Sequence, residues 1–297
     1  MTWVVFLQNV ANGLSLGSLY ALVAIGYTMV YGILRLINFA HGDIFMLGAY
    51  ALFYLVLVFT LPWWVSFAAA IVITAIMGVL VERAAYRPLR NAPRISALIS
   101  AIGVSFFLEN VGLVVFGGRP KPFAVPQFFT QDHSIGAVRV MNLTWVIPLL
   151  SMVLLLGLTY LVYRTKAGLA MRAISYDMET SRLMAIDVNK TISLTFAVGS
   201  ALAAAGGIMW ALKYPQINPL MGIIPGLKAF IAAVLGGIGS IPGAMLGGFL
   251  LGIMEIMLVA FLPALSGFRD AFAFLVLIVI LLVKPSGLMG QEVKEKV

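Results

Sequence analysis

An all-α polytopic membrane bundle of about eight or nine transmembrane helices is the fold class this sequence predicts, and three observations carry it. Of 297 residues, 62% are hydrophobic and only 10% are charged, against about 25% charged in an ordinary soluble domain. Mean hydropathy is +1.06. Apolar runs recur from the first residues to Lys284, and about 20 helical residues suffice to cross a hydrocarbon core of roughly 30 Å. No sizeable soluble domain fits between them, so residues 1–297 read as a single transmembrane domain.

The first element opens on Met1-Thr2-Trp3-Val4-Val5, with neither a basic region nor a small-residue cleavage site, so it reads as a retained span. Apolar runs between charges then place spans at 7–31, 44–61, 65–81, 96–116, 143–163, 192–212, 227–236, 243–262 and 271–283. Lys and Arg in short loops orient such spans, cytoplasmic side basic. If the spans alternate with the N-terminus outside, thirteen of nineteen fall on one side: Arg35, Arg83, Arg87, Arg90, Arg94, Arg164, Lys166, Arg172, Arg182, Lys190, Lys284, Lys294 and Lys296. The other six, Arg119, Lys121, Arg139, Lys213, Lys228 and Arg269, fall in or beside outer loops. The net charge of +8 is then a consequence of topology. It offers nucleic acid no basic face on a soluble fold.

Two places break the helical pattern. The first is Tyr31-Gly32-Ile33-Leu34-Arg35-Leu36-Ile37-Asn38-Phe39-Ala40-His41-Gly42-Asp43; the second is Leu235-Gly236-Gly237-Ile238-Gly239-Ser240-Ile241-Pro242-Gly243. Irregular backbone at membrane depth survives only where protein buries it or it lines a cavity, and paired interruptions in two halves of a chain point to a transport pathway. Each break leads from an apolar span through a glycine turn into a small-residue helix, which suggests a weak internal pseudo-repeat with broken or re-entrant segments. The plainer reading is close helix packing on small residues, and Gly13 with Gly17, and Gly243 with Gly247, have that spacing.

Strongly polar residues at membrane depth are few: Asn9, Asn12, Asn38, His41, Asp43, Glu109, Asn110 and Glu255. Charges there cost about 2.5–3.5 kcal/mol on insertion scales and usually face a bundle interior or a cavity. Candidate pathway residues are therefore Asn12, Asn38, His41, Asp43, Glu109, Gly236, Gly237, Gly239, Ser240 and Glu255. Structural readings stand beside these: interhelical hydrogen bonding for Asn9 and Asn12, and capping of the next helix for His41 and Asp43, since Asp is a favoured N-cap. Glu109 sits late in its span, near the outer interface, and Glu255 stands in Gly252-Ile253-Met254-Glu255-Ile256-Met257 with no neighbouring cation in sequence.

Enzymatic readings find no foothold. With no cysteine there is no thiolate nucleophile, disulfide framework or cysteine metal site. The two histidines, His41 and His133, are far apart and on opposite sides of the expected topology. No catalytic or metal-ligating residue is assigned, and the chain lacks a Gly-x-x-x-x-Gly-Lys-Ser/Thr loop to cradle nucleotide phosphates. ATP-driven work would need another subunit. The one long polar interruption, 164–190, is where such a subunit could act: Met171, Ile174, Met178, Leu183 and Ile186 recur at roughly helical spacing among Arg172, Asp177, Glu179 and Arg182. The pattern leaves two readings open, a helix docking into a partner's groove and a helix lying flat on the headgroups.

Several ordered runs closely resemble the branched-chain amino acid ABC transporter permeases, in the "H" group of the high-affinity leucine, isoleucine and valine systems. They include Asn12-Gly13-Leu14-Ser15-Leu16-Gly17-Ser18, Ile25-Gly26-Tyr27-Thr28-Met29-Val30-Tyr31-Gly32, Ile37-Asn38-Phe39-Ala40-His41-Gly42-Asp43, Glu82-Arg83-Ala84-Ala85-Tyr86-Arg87-Pro88-Leu89-Arg90, Leu98-Ile99-Ser100-Ala101-Ile102-Gly103 and 233–244. The resemblance implies a multi-pass subunit of the bacterial inner membrane, and the basic-loop count above puts the N-terminus on the periplasmic side and the C-terminus on the cytoplasmic side. It implies a homologous second permease subunit, two cytoplasmic ATPase subunits that hold ATP and Mg, and a periplasmic substrate-binding protein; the chain itself would need no cofactor. It matches the ATPase-coupling loop to 168–189, with Gly168, Arg172, Ala173, Asp177, Leu183, Ala185, Ile186 and Asp187 as coupling residues. Where the family usually has glycine this chain has Ala185, so either the helix runs on or the turn carries mild strain. Similar permeases carry urea or short-chain amides, and a passive channel or ion-coupled carrier is the alternative class. The latter would need a relay drawn from Asp43, Glu109 and Glu255.

Overall fold

The computed structural model describes residues 2–90, 92–135 and 138–290; Lys294 and Lys296, used above for orientation, lie outside them. All nine expected apolar segments form helices. In chain order the elements are α1 (Trp3–Leu34), α2 (His41–Leu57), α3 (Trp63–Val81), α4 (Arg94–Phe116), β1 (Lys121–Pro122), α5 (Gln127–Thr130), β2 (Asp132–Ile135), β3 (Val138–Met141), α6 (Asn142–Arg164), α7 (Lys166–Tyr176), α8 (Met178–Leu183), α9 (Val188–Lys213), β4 (Gln216–Ile217), α10 (Ile223–Gly236), α11 (Ile241–Phe261) and α12 (Arg269–Val283). The β2–β3 hairpin and the β1–β4 pair mark one end of the bundle, and α7–α8 mark the other.

Seven helical segments are long and apolar enough to span a bilayer, whereas α2 and α10, at 17 and 14 residues, are short. At 1.5 Å per residue they reach only about 25 and 21 Å. Their shortness has a cause. The chain leaves α1 through Arg35, a non-glycine residue in the left-handed region at φ 52°, and residues 36–40 turn back into the bundle. The His41 ring then lies tilted against Tyr27, centroids 4.6 Å apart, and packs against Gly26, eight residues before the end of α1 and so about 12 Å back along its axis. α2 starts inside the bundle.

The same device recurs in the other half. After α9, residues 214–222 fold back, held by β4 pairing with β1 in the register Lys121↔Ile217, and Gly222 comes to rest on the backbone of Gly42. The two half-helices thus meet N-terminus to N-terminus in the core, and α9 lies along α2 and α3 as α1 lies along α10 and α11. This is an inverted-topology repeat. It corrects the expected pairing of breaks, because the partner of 31–43 is 214–222 and not 235–243. The glycine-rich 236–243 stretch is a tight α10–α11 turn: Gly237 takes φ 107° and Gly239 φ 96°, the Ser240 hydroxyl accepts from the Gly243 amide, and Gly236 packs on Gly243.

Small residues close the helix seams as their spacing suggested. A Cβ on Gly13 would lie 2.9 Å from the Ile253 Cα and one on Gly17 2.7 Å from the Phe249 Cα, so α1 and α11 touch backbone to backbone. Gly247 likewise packs on Ala232 of α10.

Candidate functional site

The α2–α10 junction places four of the ten expected pathway residues together, Asn38, His41, Asp43 and Glu109. Asn38, His41 and Asp43 are 2%, 1% and 3% exposed, too buried for a surface turn. Asn38 Oδ1 accepts from the Tyr86 hydroxyl at 2.7 Å, and Asp43 Oδ2 accepts from the Ser105 hydroxyl at 2.6 Å. Neither His41 nor Asp43 caps α2, whose N-cap is Ala40 with no side-chain bond. Asn38 Nδ2 and His41 Nε2 find no hydrogen-bond partner among the described residues. Next to them a cavity of about 100 Å³ is lined by Tyr27, Phe39, Gly42, Asp43, Ser105, Glu109, Gly222 and Ile223 among others. Glu109, half-buried, lines the same cavity as Asp43. Helix N-termini carry positive partial charge, so the amides of α2 and α10 oppose these carboxylates across one small space. Such a junction suits a small solute with both charges and an apolar part.

Asn12 is half-buried on α1 and does not reach this cavity. Gly236, Gly237 and Ser240 are in the α10–α11 turn, towards the α7–α8 end; Gly239 lines a second cavity of about 100 Å³ with Thr28, Gly32, Met171, Arg172 and Ser175. Gly239 thus faces α7, and all four residues stand apart from the α2–α10 junction.

Glu255 needs a correction. It is fully buried, and its cations come from other helices: Lys228 Nζ lies 2.8 Å from Oε1 and Arg269 Nε 3.6 Å from Oε2. The Tyr20 hydroxyl donates to Oε2 at 3.0 Å, and Lys228 also pairs with Asp270 at 2.6 Å. Lys228, expected near an outer loop, is 2% exposed in α10. Two cations and two carboxylates bind α10, α11, α12 and Tyr20 of α1 into a neutral cluster separate from Asp43 and Glu109. The signal was available, since lone opposite charges in neighbouring apolar runs should find one another. Glu82 was missed altogether. Fully buried, it pairs with Arg90 and accepts from the Ser193 hydroxyl at 2.7 Å, at the place where α3 loosens into a π-helical turn (Glu82–Tyr86) before Pro88.

The arm expected to couple, 164–190, is two helices and not one. Thr165 caps α7 by accepting from the Gly168 amide at 3.1 Å, and Gly168 packs so closely on the Leu161 and Val162 carbonyls that a side chain has no room. Arg172 stacks over the Tyr163 ring at 5.5 Å, and Ala173 O accepts from the Asp177 amide. Asp177 breaks the arm and caps α8, accepting from the Glu179 and Thr180 amides at 2.9 and 3.1 Å and from the Thr180 hydroxyl at 2.6 Å. The Thr180 hydrogen bonds hold its carboxyl below the usual carboxylate range. The expected apolar stripe divides accordingly. Of its five residues Met171 and Ile174 are buried against the bundle, Met178 and Ile186 are half-buried and Leu183 is 86% exposed; Tyr176 and Met184, outside the stripe, are 93% and 73% exposed.

α8 ends in a Schellman turn. The Ile186 amide donates to Ser181 O and the Ala185 amide to Arg182 O, with Ala185 at φ 59°, the left-handed position that usually holds glycine. Of the two expectations for Ala185, the structure takes the strained turn. Asp187 then caps α9 by accepting from the Lys190 amide at 3.0 Å, which holds its carboxyl below its ordinary range.

Comparison with known proteins fits this architecture. The profile of a family described as the permease component of the branched-chain amino acid transport system matches residues 9–283. The high-affinity branched-chain amino acid transport system permease protein LivH of Escherichia coli K12 is 42% identical over 308 residues, covering 98% of each chain. BraD of Pseudomonas aeruginosa, described in the same words, is 43% identical over 305 residues with the same coverage. A probable branched-chain amino acid transport permease protein LivH of Methanocaldococcus jannaschii is 28% identical, covering 94% of this chain and 90% of its own.

Proposed function

The chain belongs to the branched-chain amino acid transport permease family, and on that premise we propose that it is a membrane subunit of an ABC importer for leucine, isoleucine and valine. It lies in the bacterial inner membrane with the β-hairpin end periplasmic and the α7–α8 end cytoplasmic. A second, homologous permease subunit completes the pathway, a periplasmic binding protein delivers the solute, and two ATPase subunits hold ATP and Mg and push on α7–α8. The observation that carries this reading is the meeting of α2 and α10 at Gly42 and Gly222 beside Asp43 and Glu109. Half-helix N-termini facing a cavity suit a carboxylate, the two acids suit an ammonium group, and Phe39 and Ile223 suit a branched side chain. Exposed Tyr176, Leu183 and Met184 on the arm fit a partner's groove better than a headgroup layer, because the apolar half of the arm that faces the bundle is already buried.

Replacing Arg172 and Asp177 together tests the force path. Substrate-stimulated ATP hydrolysis by the assembled complex is expected to fall, because Arg172 anchors α7 to Tyr163 and Asp177 sets the α7–α8 bend. Normal coupled uptake in that variant would sink the assignment. Solute flux through the chain reconstituted alone would favour a channel or carrier.

A further inference from the structure

At the α7–α8 end, a groove of about 510 Å³ opens between the end of α3 and the start of α9, lined by Val79, Arg83, Arg87, Lys190, Leu194 and Ala197 among others. Its charge is not neutralised locally. Glu82 is spent on Arg90 and Ser193, and Asp187 pairs with Lys190 at 3.2 Å. Arg83 and Arg87, both exposed, have no carboxylate within ion-pair distance among the described residues.

Below the two arginines the groove is lined by Val79, Leu194 and Ala197, and beyond it the outer face of α3 continues apolar. Val72 and Ile76 are 58% and 55% exposed, and with Val79 they form a stripe at helical spacing along α3 that ends at Arg83. The eleven steps from Val72 to Arg83 rise about 16 Å at 1.5 Å each, close to half of a hydrocarbon core of about 30 Å. A cationic mouth above one leaflet's depth of apolar wall matches an amphiphile; a free phosphate would use only the mouth.

We propose that the α3–α9 groove is a binding site for an anionic phospholipid, its phosphate between Arg83 and Arg87 and an acyl chain along Val72, Ile76 and Val79. Basic pockets between helices at a membrane face hold anionic headgroups in this way. Because Asp187 and Lys190 belong both to this groove and to the end of the coupling arm, a bound lipid would brace the start of α9. The proposal goes beyond the transport reading, and its readout is independent of transport.

The test uses the full chain in nanodiscs of phosphatidylcholine doped with phosphatidylglycerol, with retained lipid counted by native mass spectrometry. Phosphatidylglycerol is expected to be retained over phosphatidylcholine. R83Q/R87Q is expected to reduce that preference about thirtyfold, the effect of two interfacial cations, and R83K/R87K to keep most of it. Independently of these variants, I76W fluorescence is expected to be quenched more by acyl-brominated phosphatidylglycerol than by the brominated phosphatidylcholine. Equal retention of the two lipids, an unchanged preference in R83Q/R87Q, equal quenching, or displacement of the lipid by inorganic phosphate would each overturn the assignment.

Discussion

Replacing Lys228 with Met tests whether the buried charge cluster holds α10 in place. In the native protein Lys228 bridges Glu255 at 2.8 Å and Asp270 at 2.6 Å, with side-chain exposures of 2% for the lysine and 0% for Glu255. Without it Glu255 keeps the Tyr20 hydroxyl at 3.0 Å and Arg269 at 3.6 Å, the latter 36% exposed, so the carboxylate remains buried with its nearest cation gone. Breaking a buried pair from one side costs about 3–5 kcal/mol, and the surviving partners put this site near the lower figure. At roughly 2 °C per kcal/mol for a chain of this size, the unfolding midpoint in detergent should fall by about 6 °C or somewhat more. Glu255→Met should cost less, because Lys228 retains Asp270. The double variant K228M/E255M removes both deep charges and should be clearly milder than the sum of the singles, since contacting residues couple. A K228M midpoint within about 1 °C of wild type, on that same scale, or strictly additive losses, would refute the view that the cluster acts as a unit.

Two further outcomes follow from backbone geometry. At Gly42 an added Cβ would sit 2.6 Å from the Gly222 carbonyl oxygen, so Gly42→Ala should cost about 1–3 kcal/mol as overpacking and abolish uptake while the chain still inserts; normal uptake would show that the half-helix contact is dispensable. Ala185→Gly should stabilise the α8 terminus by about 0.5 kcal/mol, the left-handed penalty less the entropy glycine adds to the unfolded chain. Slower hydrogen exchange at the Ile186 amide is the readout, and faster exchange would contradict the strained turn.

The nine helices were legible because lipid demands long apolar runs, and each observed helix overlaps the run that predicts it. The first break was legible for the same reason, since Asn38, His41 and Asp43 are costly at membrane depth. Its partner was not. Tyr214-Pro215-Gln216-Ile217-Asn218-Pro219 has the prolines and polar residues of an ordinary loop, and only the tertiary contact of Gly222 with Gly42 exposes it as re-entrant. The glycines of 236–243 drew attention because flexible turns and pathway linings share one composition. Lys228 eluded the reading because a lysine five residues into a short helix resembles a loop boundary until Glu255 is seen beside it. In the arm, periodicity carried across Asp177 and suggested one helix, whereas that residue's side chain satisfies the α8 amides and so ends α7.

Where α2 meets α10, backbone rests on backbone, with Gly42 against Gly222 and Gly226. Interlocked side chains would act as teeth, and any relative travel of the two half-helices would have to lift each one out of its socket in a core packed as densely as a crystal. A toothless seam offers no such detents. Small sliding displacements of packed helices are a recognised mode of domain motion, and here the central one of the surfaces on which the two inverted halves bear is built from glycine backbone. The glycines therefore do more than allow close approach: they make the centre of the molecule a smooth bearing, with the charge cluster at Glu255 as the clamp on one of its halves.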